Sequence, residues 1–110
     1  MNFNKVFLAG RITRDPELSY TPSNTPVVNF GIACNRTFSQ NDSTKEEVTF
    51  VDVKMFGKRA EIIHQYFAKG KPIFIEGRLN LDQWESSDGQ KRSRLNVIAE
   101  NFTFVGKKSD

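Results

Sequence analysis

Apolar and polar residues alternate along five segments of the chain, a pattern typical of half-buried β-strands. Val, Ile, Phe and Thr, which favour strands, are frequent in these segments. Turn-forming residues separate them, among them Asp15-Pro16 and Ser87-Asp88-Gly89. The predicted strands are Phe3–Ile12, Pro26–Phe38, Val48–Phe56, Ile73–Trp84 and Arg92–Val105.

One further segment has the period of a helix. From Lys58 to Lys69 the apolar residues recur at spacings of three and four, and Gly70, a residue type common just after a helix, follows. The resulting order, β-β-β-α-β-β, predicts an all-β protein with one helix, a five-stranded Greek-key barrel of the OB-fold type. An SH3-like barrel is the alternative, but it would not need this helix. Ser39–Glu47 and Ser86–Lys91 are predicted to be long hairpin arms.

Aromatic side chains lie on the face of two predicted strands that points away from the core. Phe50 and Phe56 are among charged residues of the third strand, and Trp84, the only tryptophan, is on the polar face of the fourth. Phe38 ends the second strand. The apolar positions of the fourth strand, which should face the core, are Ile73, Ile75, Leu79 and Leu81. Exposed aromatic patches usually mark a binding surface.

The last predicted strand changes its alternation near its end. From Leu95 to Ala99, every odd-numbered residue is apolar. After Ala99 the pattern shifts by one position, so that the even-numbered Phe102 and Phe104 are apolar. A β-bulge near Glu100 would turn both phenylalanines inward. We therefore expect both of them in the core.

Aromatic rings interleaved with cations are typical of sites for single-stranded nucleic acid. Unpaired bases stack on such rings with roughly 1–3 kcal/mol each, and Lys and Arg neutralise phosphates. The candidate cations are Lys5, Arg11, Arg36, Lys54, Lys58, Arg78 and Arg92, and secondarily Arg14, Arg59, Lys91 and Arg94. Asp52 and Asp82 lie among the rings and weaken the positive electrostatic potential that the cations produce there. From alternation alone, a second core layer or a protein interface is the more common explanation for such rings.

Composition and motifs limit the remaining classes of function. The 16 Lys and Arg against 13 Asp and Glu give a net charge of +3, which permits a polyanionic partner without requiring one. One Cys and one His argue against a disulfide framework, a zinc site and a Ser-His-Asp triad. We predict no catalytic residue, no cofactor and no metal. No apolar run approaches the ~18 residues of a membrane span, and no signal peptide is apparent, so we expect a cytoplasmic protein without a membrane partner.

Three short runs, Asn4–Ile12, Phe56–Lys58 and Glu76–Leu79, are informative in their order and spacing. In these runs, and over about residues 1–106, the chain resembles the bacterial single-stranded DNA-binding protein family. The resemblance implies an OB barrel, a homotetramer and sequence-independent binding of single-stranded DNA in replication, recombination and repair. It also implies a place in the bacterial cytoplasm at the nucleoid. The family's stacking aromatics correspond to Phe38, Phe50, Phe56 and Trp84.

Two features depart from the family pattern. After an OB domain at 1–106, the residues 107–110 would form a short tail in which the family's acidic tip is absent. Replication and repair proteins are therefore expected partners only if a natural acidic tail was removed. The strand before Trp84 is often basic in relatives, yet here it reads Asn80, Leu81, Asp82, Gln83.

The first strand carries apolar residues on both faces, so neither face is expected to be solvated. The resemblance implies that this strand pairs with its twin across a two-fold axis. The expected interface residues are Phe3, Lys5, Phe7 and Ala9. Two alternatives remain open: an OB-fold primosome accessory that mainly binds proteins, with a dimer and fewer stacking rings, and an RNA-binding domain of the cold-shock type, which would be shorter and without the helix.

Overall fold

The computed structural model of this protein describes residues 1–106, which form six β-strands and one helix. The elements are β1 (Val6–Ile12), β2 (Glu17–Tyr20), β3 (Pro26–Gln40), β4 (Ser43–Phe56), α1 (Lys58–Tyr66), β5 (Pro72–Glu85) and β6 (Lys91–Phe104). The predicted all-β class with one helix is confirmed. Within these residues, no helix has the length and apolar character needed to cross a membrane. The expected tail, 107–110, lies outside the described residues.

Five of the strands close into a barrel. β1 pairs with β5, β5 with β6, and β3 with β4, all antiparallel. A parallel contact between β4 and β6, with Val53 opposite Val97, joins the two hairpins. A short contact between β1 and β3, where Arg11 lies opposite Ala33, completes the ring. This is the strand order of the OB-fold, so the predicted barrel is confirmed.

The hydrophobic core fills the barrel and continues under the helix. Its largest fully buried side chains are Phe30, Ile12, Ile32, Ile63, Ile73, Ile75, Val28, Val53 and Val97. From α1, Ala60 and Ile63 reach into the same cluster, because they lie on one face of the helix. The helix thereby covers apolar side chains of β3 that the strands alone would leave open.

A β-bulge interrupts β6 where the alternation predicts one. Glu76 pairs with Asn101 and Gly77 pairs with Ala99, so Glu100 has no partner of its own on β5. The two strands approach closely here, since a Cβ atom on Gly77 would lie 2.9 Å from the Cα of Ala99. Glycine is therefore required at this point of contact.

The bulge affects the two phenylalanines after it differently. Phe102 is buried, as predicted, and meets the ring of Phe67 edge-on. The prediction that Phe104 also lies in the core is wrong, because its ring is about half exposed. Phe104 is the last residue of β6, and its ring covers Phe67 from outside with 4.9 Å between ring centroids.

Several element boundaries differ from those predicted, and the largest difference among the strands is at β4, which begins at Ser43 and not at Val48. β1 begins at Val6 and not at Phe3. β2 is not predicted by the sequence pattern, because it has four residues and only Leu18 among them is partly buried. The helix ends at Tyr66, earlier than predicted, since Phe67 adopts an extended conformation and buries its ring in the core.

The two predicted hairpin arms differ in structure. Ser86–Lys91 is the turn that joins β5 to β6, and only Lys91 in it belongs to a strand. β3 and β4 continue to a two-residue turn, Asn41-Asp42, whose φ angles of 52° and 63° are those of a tight hairpin turn. The arm Ser39–Glu47 is therefore mostly paired strand. We name the outer parts of the two hairpins the β3–β4 arm and the β5–β6 arm. On the β5–β6 arm, Leu79 and Leu81 are exposed although their alternation is that of the core. The prediction that they are buried is wrong, because β1 pairs with β5 only as far as Gly77 and leaves both leucines beyond its end.

Candidate nucleic-acid interface

Three of the four predicted stacking rings lie on one outer face of the barrel. Phe50 and Phe56 occupy outward positions of β4, Trp84 occupies an outward position of β5, and β6 lies between these strands. Their exposed fractions are 72%, 46% and 47%. We name this surface the aromatic face. Its rings are available to a planar ligand without any rearrangement of the core.

Phe38 lies on the other face of the β3–β4 arm. On β3, Phe38 lies an even number of positions from Phe30 and Ile32, so its side chain is on the same side of the strand as these core residues. The side chain of Phe50 on β4 is on the opposite side of the sheet. The guanidinium carbon of Arg36 stands 5.0 Å from the centroid of the Phe38 ring, a cation–π contact. The structure therefore brings three of the predicted rings together and places the fourth on a separate surface.

A cavity of about 300 Å³ opens beside the indole of Trp84. We name it the Trp84 pocket. Its charged and aromatic lining comprises Arg14, Asp52, Lys54, Asp82, Trp84 and Arg94. An aromatic wall and several polar groups thus converge in one concave site, which is the usual composition of a ligand-binding pocket.

A hydrogen-bond network in this pocket joins three strands. Lys54 of β4 donates to one carboxylate oxygen of Asp82 at 2.8 Å, and the amide of Asn96 on β6 donates to the same oxygen at 2.7 Å. Asn80 donates to the other oxygen at 2.9 Å. The bond from Lys54 is the largest cause, and the two amides add to it, in lowering the pKa of Asp82 from 3.8 to about 2. The carboxylate is therefore ionised at neutral pH.

We expect this network to stabilise the fold only above acidic pH. Because folding lowers the pKa of Asp82, its ionised carboxylate stabilises the folded state fully at pH values above the unfolded pKa of 3.8. This stabilisation is lost as the pH falls through about 2. Asp82→Asn should lower the melting temperature at pH 7 and have a diminishing effect towards pH 2, measured by circular dichroism. The side chain is 39% exposed, so solvent screening limits the effect to below about 1 kcal/mol. An equal difference at pH 7 and pH 2 would contradict this origin.

A second set of ion pairs lies at the rim of the Trp84 pocket. The two carboxylate oxygens of Asp52 lie 3.4 Å from Arg14 and 3.9 Å from Arg94. All three side chains are largely solvated, so each pair is individually weak. The pocket as a whole holds three cations against two carboxylates. Its local charge is close to neutral, despite the number of basic residues in it.

Other cations that were predicted to contact phosphates already have partners within the protein. Arg36 pairs with Glu47 at 2.9 Å on the β3–β4 arm. Arg11 donates to the backbone carbonyl of Gly70 at 2.9 Å. Such partners do not prevent a phosphate contact, but a phosphate has to replace or share them.

The remaining predicted cations differ in their surroundings. Arg92 stands 3.9 Å from Asp88 in the turn of the β5–β6 arm, a loose pair. Lys58 is exposed in the first turn of α1, and Arg59 stacks over Phe102. Among residues 1–106, no three His, Cys, Asp or Glu side chains are grouped so that they could hold a metal ion.

Lys5 and Arg78 belong to a different surface, the outer side of β1 and β5. Lys5 donates to Glu76 at 3.0 Å and contacts Glu100 at 3.5 Å, and Arg78 contacts Glu100 at 3.2 Å. The hydrogen bond to Glu76 is the largest cause of the raised pKa of Lys5. Glu100 is the unpaired bulge residue, so the bulge places its carboxylate between two cations. The pairing leaves little free positive charge for DNA on this side.

Of the predicted interface residues, Phe7 and Ala9 lie on β1, whereas Phe3 and Lys5 lie just before it. β5 pairs with one edge of β1, whereas β3 reaches the other edge only at its last two residues. From Val6 to Ala9, the second edge therefore pairs with no strand of the described chain. Phe7 is 60% exposed, and its ring stacks on that of Phe74 with 6.3 Å between centroids. Phe3 is almost fully exposed.

Asn96 is the pocket residue that the sequence pattern does not reveal. It occupies a polar position of β6, yet it is only 2% exposed, because Lys54 and Asp82 close over it. This burial depends on which residues of β4 and β5 lie beside it in the barrel. Only a correct strand register could have identified it.

Comparison with known proteins identifies the family. Residues 3–105 match the model of the single-strand binding protein family. The chain belongs to this family. The single-stranded DNA-binding protein of Helicobacter pylori is 45% identical over 98% of this chain and 61% of its own length. Those of Wolinella succinogenes and Aquifex aeolicus are 49% and 46% identical, over 96% and 94% of this chain and 66% and 71% of their own.

The chain spans about three fifths of the length of several of these relatives. One solved structure agrees with the family assignment, and a second agrees in fold. A deletion mutant of the single-stranded DNA binding protein from Thermus aquaticus has a TM-score of 0.83 and 33% identity, over 94% of this chain and 51% of that one. A Plasmodium falciparum SSB complex with ssDNA has a TM-score of 0.85 over 96% of this chain and 97% of that one. At 19% identity, this second likeness concerns the fold alone.

Proposed function

We propose that this protein binds single-stranded DNA without sequence preference. The observation that carries the proposal is the aromatic face, where Phe50, Phe56 and Trp84 are exposed beside a pocket that contains cations. Unpaired bases offer a planar surface to such rings, whatever their sequence. Relatives at 45–49% identity are named single-stranded DNA-binding proteins, which supports the same function.

In a cell, this activity would protect exposed strands during replication, recombination and repair, in the bacterial cytoplasm at the nucleoid. The proposed mechanism needs no catalytic step and no cofactor. Bases stack on the aromatic face, and the phosphates follow the cations of the two arms. Replication and repair proteins would bind through an acidic tail where the natural protein carries one.

Assembly into a homotetramer is the second part of the proposal. The open edge of β1 between Val6 and Ala9 offers unpaired backbone groups, which a second copy could pair with. The exposed ring of Phe7 adds apolar area beside this edge. A barrel of this size contacts only a short stretch of DNA, so wrapping a long strand needs several copies.

Binding of oligo-dT should persist in moderate salt. For single strands, the slope of log affinity against log salt is about −0.7 per phosphate contact. Most predicted cations already have acidic partners, so we expect few such contacts and a shallow slope. Fluorescence anisotropy of labelled oligo-dT at several salt concentrations would measure it.

A duplex of equal length is the control for this titration. Its bases are hidden, so only the electrostatic part of binding remains, and its affinity should fall faster with salt. Preference for the single strand should therefore increase as salt is raised. Equal affinity for both forms at every salt concentration would contradict the proposal, and absence of oligo-dT binding would favour the protein-binding alternative.

A further inference from the structure

Each cation that lines the Trp84 pocket is engaged by a carboxylate. Lys54 is held by Asp82, and both Arg14 and Arg94 lie against Asp52. We propose that Asp52 and Asp82 are specificity-determining residues, which exclude phosphates from the pocket and so select unpaired strands over duplex DNA. This inference rests on the proposed binding of single-stranded DNA.

The network makes Asp82 a strong competitor for any incoming phosphate. Its two oxygens accept three hydrogen bonds, from Lys54, Asn80 and Asn96. Asn96 is only 2% exposed, and its amide oxygen in turn accepts a hydrogen bond from Asn80 at 3.1 Å. A phosphate that approached Lys54 would have to share its ammonium with an ionised carboxylate that three donors hold in place, and that carboxylate would repel it on the way.

The two forms of DNA present different groups to this pocket. A base stacked on Trp84 would direct its edge towards the pocket that the indole lines, and its phosphate would remain outside. A base edge carries hydrogen-bond donors as well as acceptors, so the carboxylates do not repel it. A duplex hides its base faces and presents a phosphate for every ~1.7 Å of its axis. The same two carboxylates therefore act mainly against the duplex.

Three neutral, nearly isosteric variants test this role: Asp52→Asn, Asp82→Asn and the double variant. The affinities for oligo-dT and for a duplex of equal length would be measured by anisotropy at several salt concentrations. In water, removing one negative charge about 4 Å from a phosphate should raise the affinity about fivefold. We expect each single variant to raise duplex affinity about fivefold, and oligo-dT affinity by less than about twofold. The duplex slope should steepen by about 0.9 for each cation released.

Glu61→Gln is the matched control. It removes the same charge on α1, outside the pocket, and the amide can still accept the hydrogen bond from the Tyr20 hydroxyl. It should raise both affinities by the same small factor. If Asp52→Asn and Asp82→Asn also raise both affinities equally, the carboxylates only reduce net charge and the inference is wrong.

The combination of Asp82→Asn with Lys54→Gln tests the mechanism. If the gain in duplex affinity comes from releasing Lys54, this double variant should lose it. Retention of the gain would overturn the role of the Lys54–Asp82 pair. Should Asp82→Asn fail to fold, Asp52→Asn carries the same test at the solvated rim. A wild-type protein that binds neither DNA would instead refute the proposed function itself.

Discussion

Trp84→Ala should weaken oligo-dT binding by roughly 1–3 kcal/mol, or about 5- to 150-fold, because one base loses its stacking partner. The indole is about half exposed and is the only one in the chain. Oligo-dT should therefore quench the intrinsic fluorescence of the wild-type protein strongly. The affinity of the variant would be measured with labelled DNA.

The salt dependence identifies the origin of this loss. Stacking carries no charge, so Trp84→Ala should lower affinity with the salt slope nearly unchanged, and Trp84→Phe should recover most of the affinity. Tyr66→Ala is the control, since Tyr66 is an equally exposed aromatic on α1, away from the aromatic face. Absence of quenching, or an affinity loss no larger than that of the control, would remove Trp84 from the binding site.

Phe7→Asp should convert the proposed homotetramer into a smaller species. The substitution places a charge on the outward face of β1, next to the open strand edge and above Phe74. A buried, unpaired carboxylate in an interface costs several kcal/mol, enough to dissociate most assemblies at micromolar concentration. Native mass spectrometry, with and without oligo-dT, would report the change.

The monomer fold should survive this substitution, because the Phe7 side chain lies outside the core. Tyr66→Asp introduces the same charge at another exposed aromatic, and it should leave the assembly intact. An unchanged tetramer in the Phe7 variant would remove β1 from the interface. A wild-type protein that is monomeric at micromolar concentration would refute the proposed assembly altogether.

Local alternation was sufficient to predict the barrel strands and the bulge. The change of phase between Ala99 and Phe102 has only one simple geometric explanation, so Glu100 could be assigned from sequence. Alternation does not report where a strand leaves the barrel. Leu79 and Leu81 therefore looked like core residues although about half of each remains exposed in the described residues 1–106.

Three of the four predicted rings lie together on the aromatic face, whereas the electrostatics of the candidate site were not predictable. The outward positions of Phe50 and Phe56 follow from alternation within one strand. The pairing of Lys54 with Asp82 joins residues 28 positions apart on strands that are not neighbours, with β6 between them. A list of basic residues therefore overestimates the positive charge that the folded surface offers, since pairing depends on the final strand order.

The position of Phe38 implies that affinity depends on the length of the bound oligonucleotide in two stages. A strand bound to Phe50 must pass around the edge of the β3–β4 arm before it reaches Phe38 on the far side. Short oligonucleotides would therefore occupy the aromatic face alone, and only longer ones would gain the fourth ring. Affinity would rise a second time once the oligonucleotide is long enough to reach Phe38. The number of nucleotides at that second rise would give the length of the path around the β3–β4 arm.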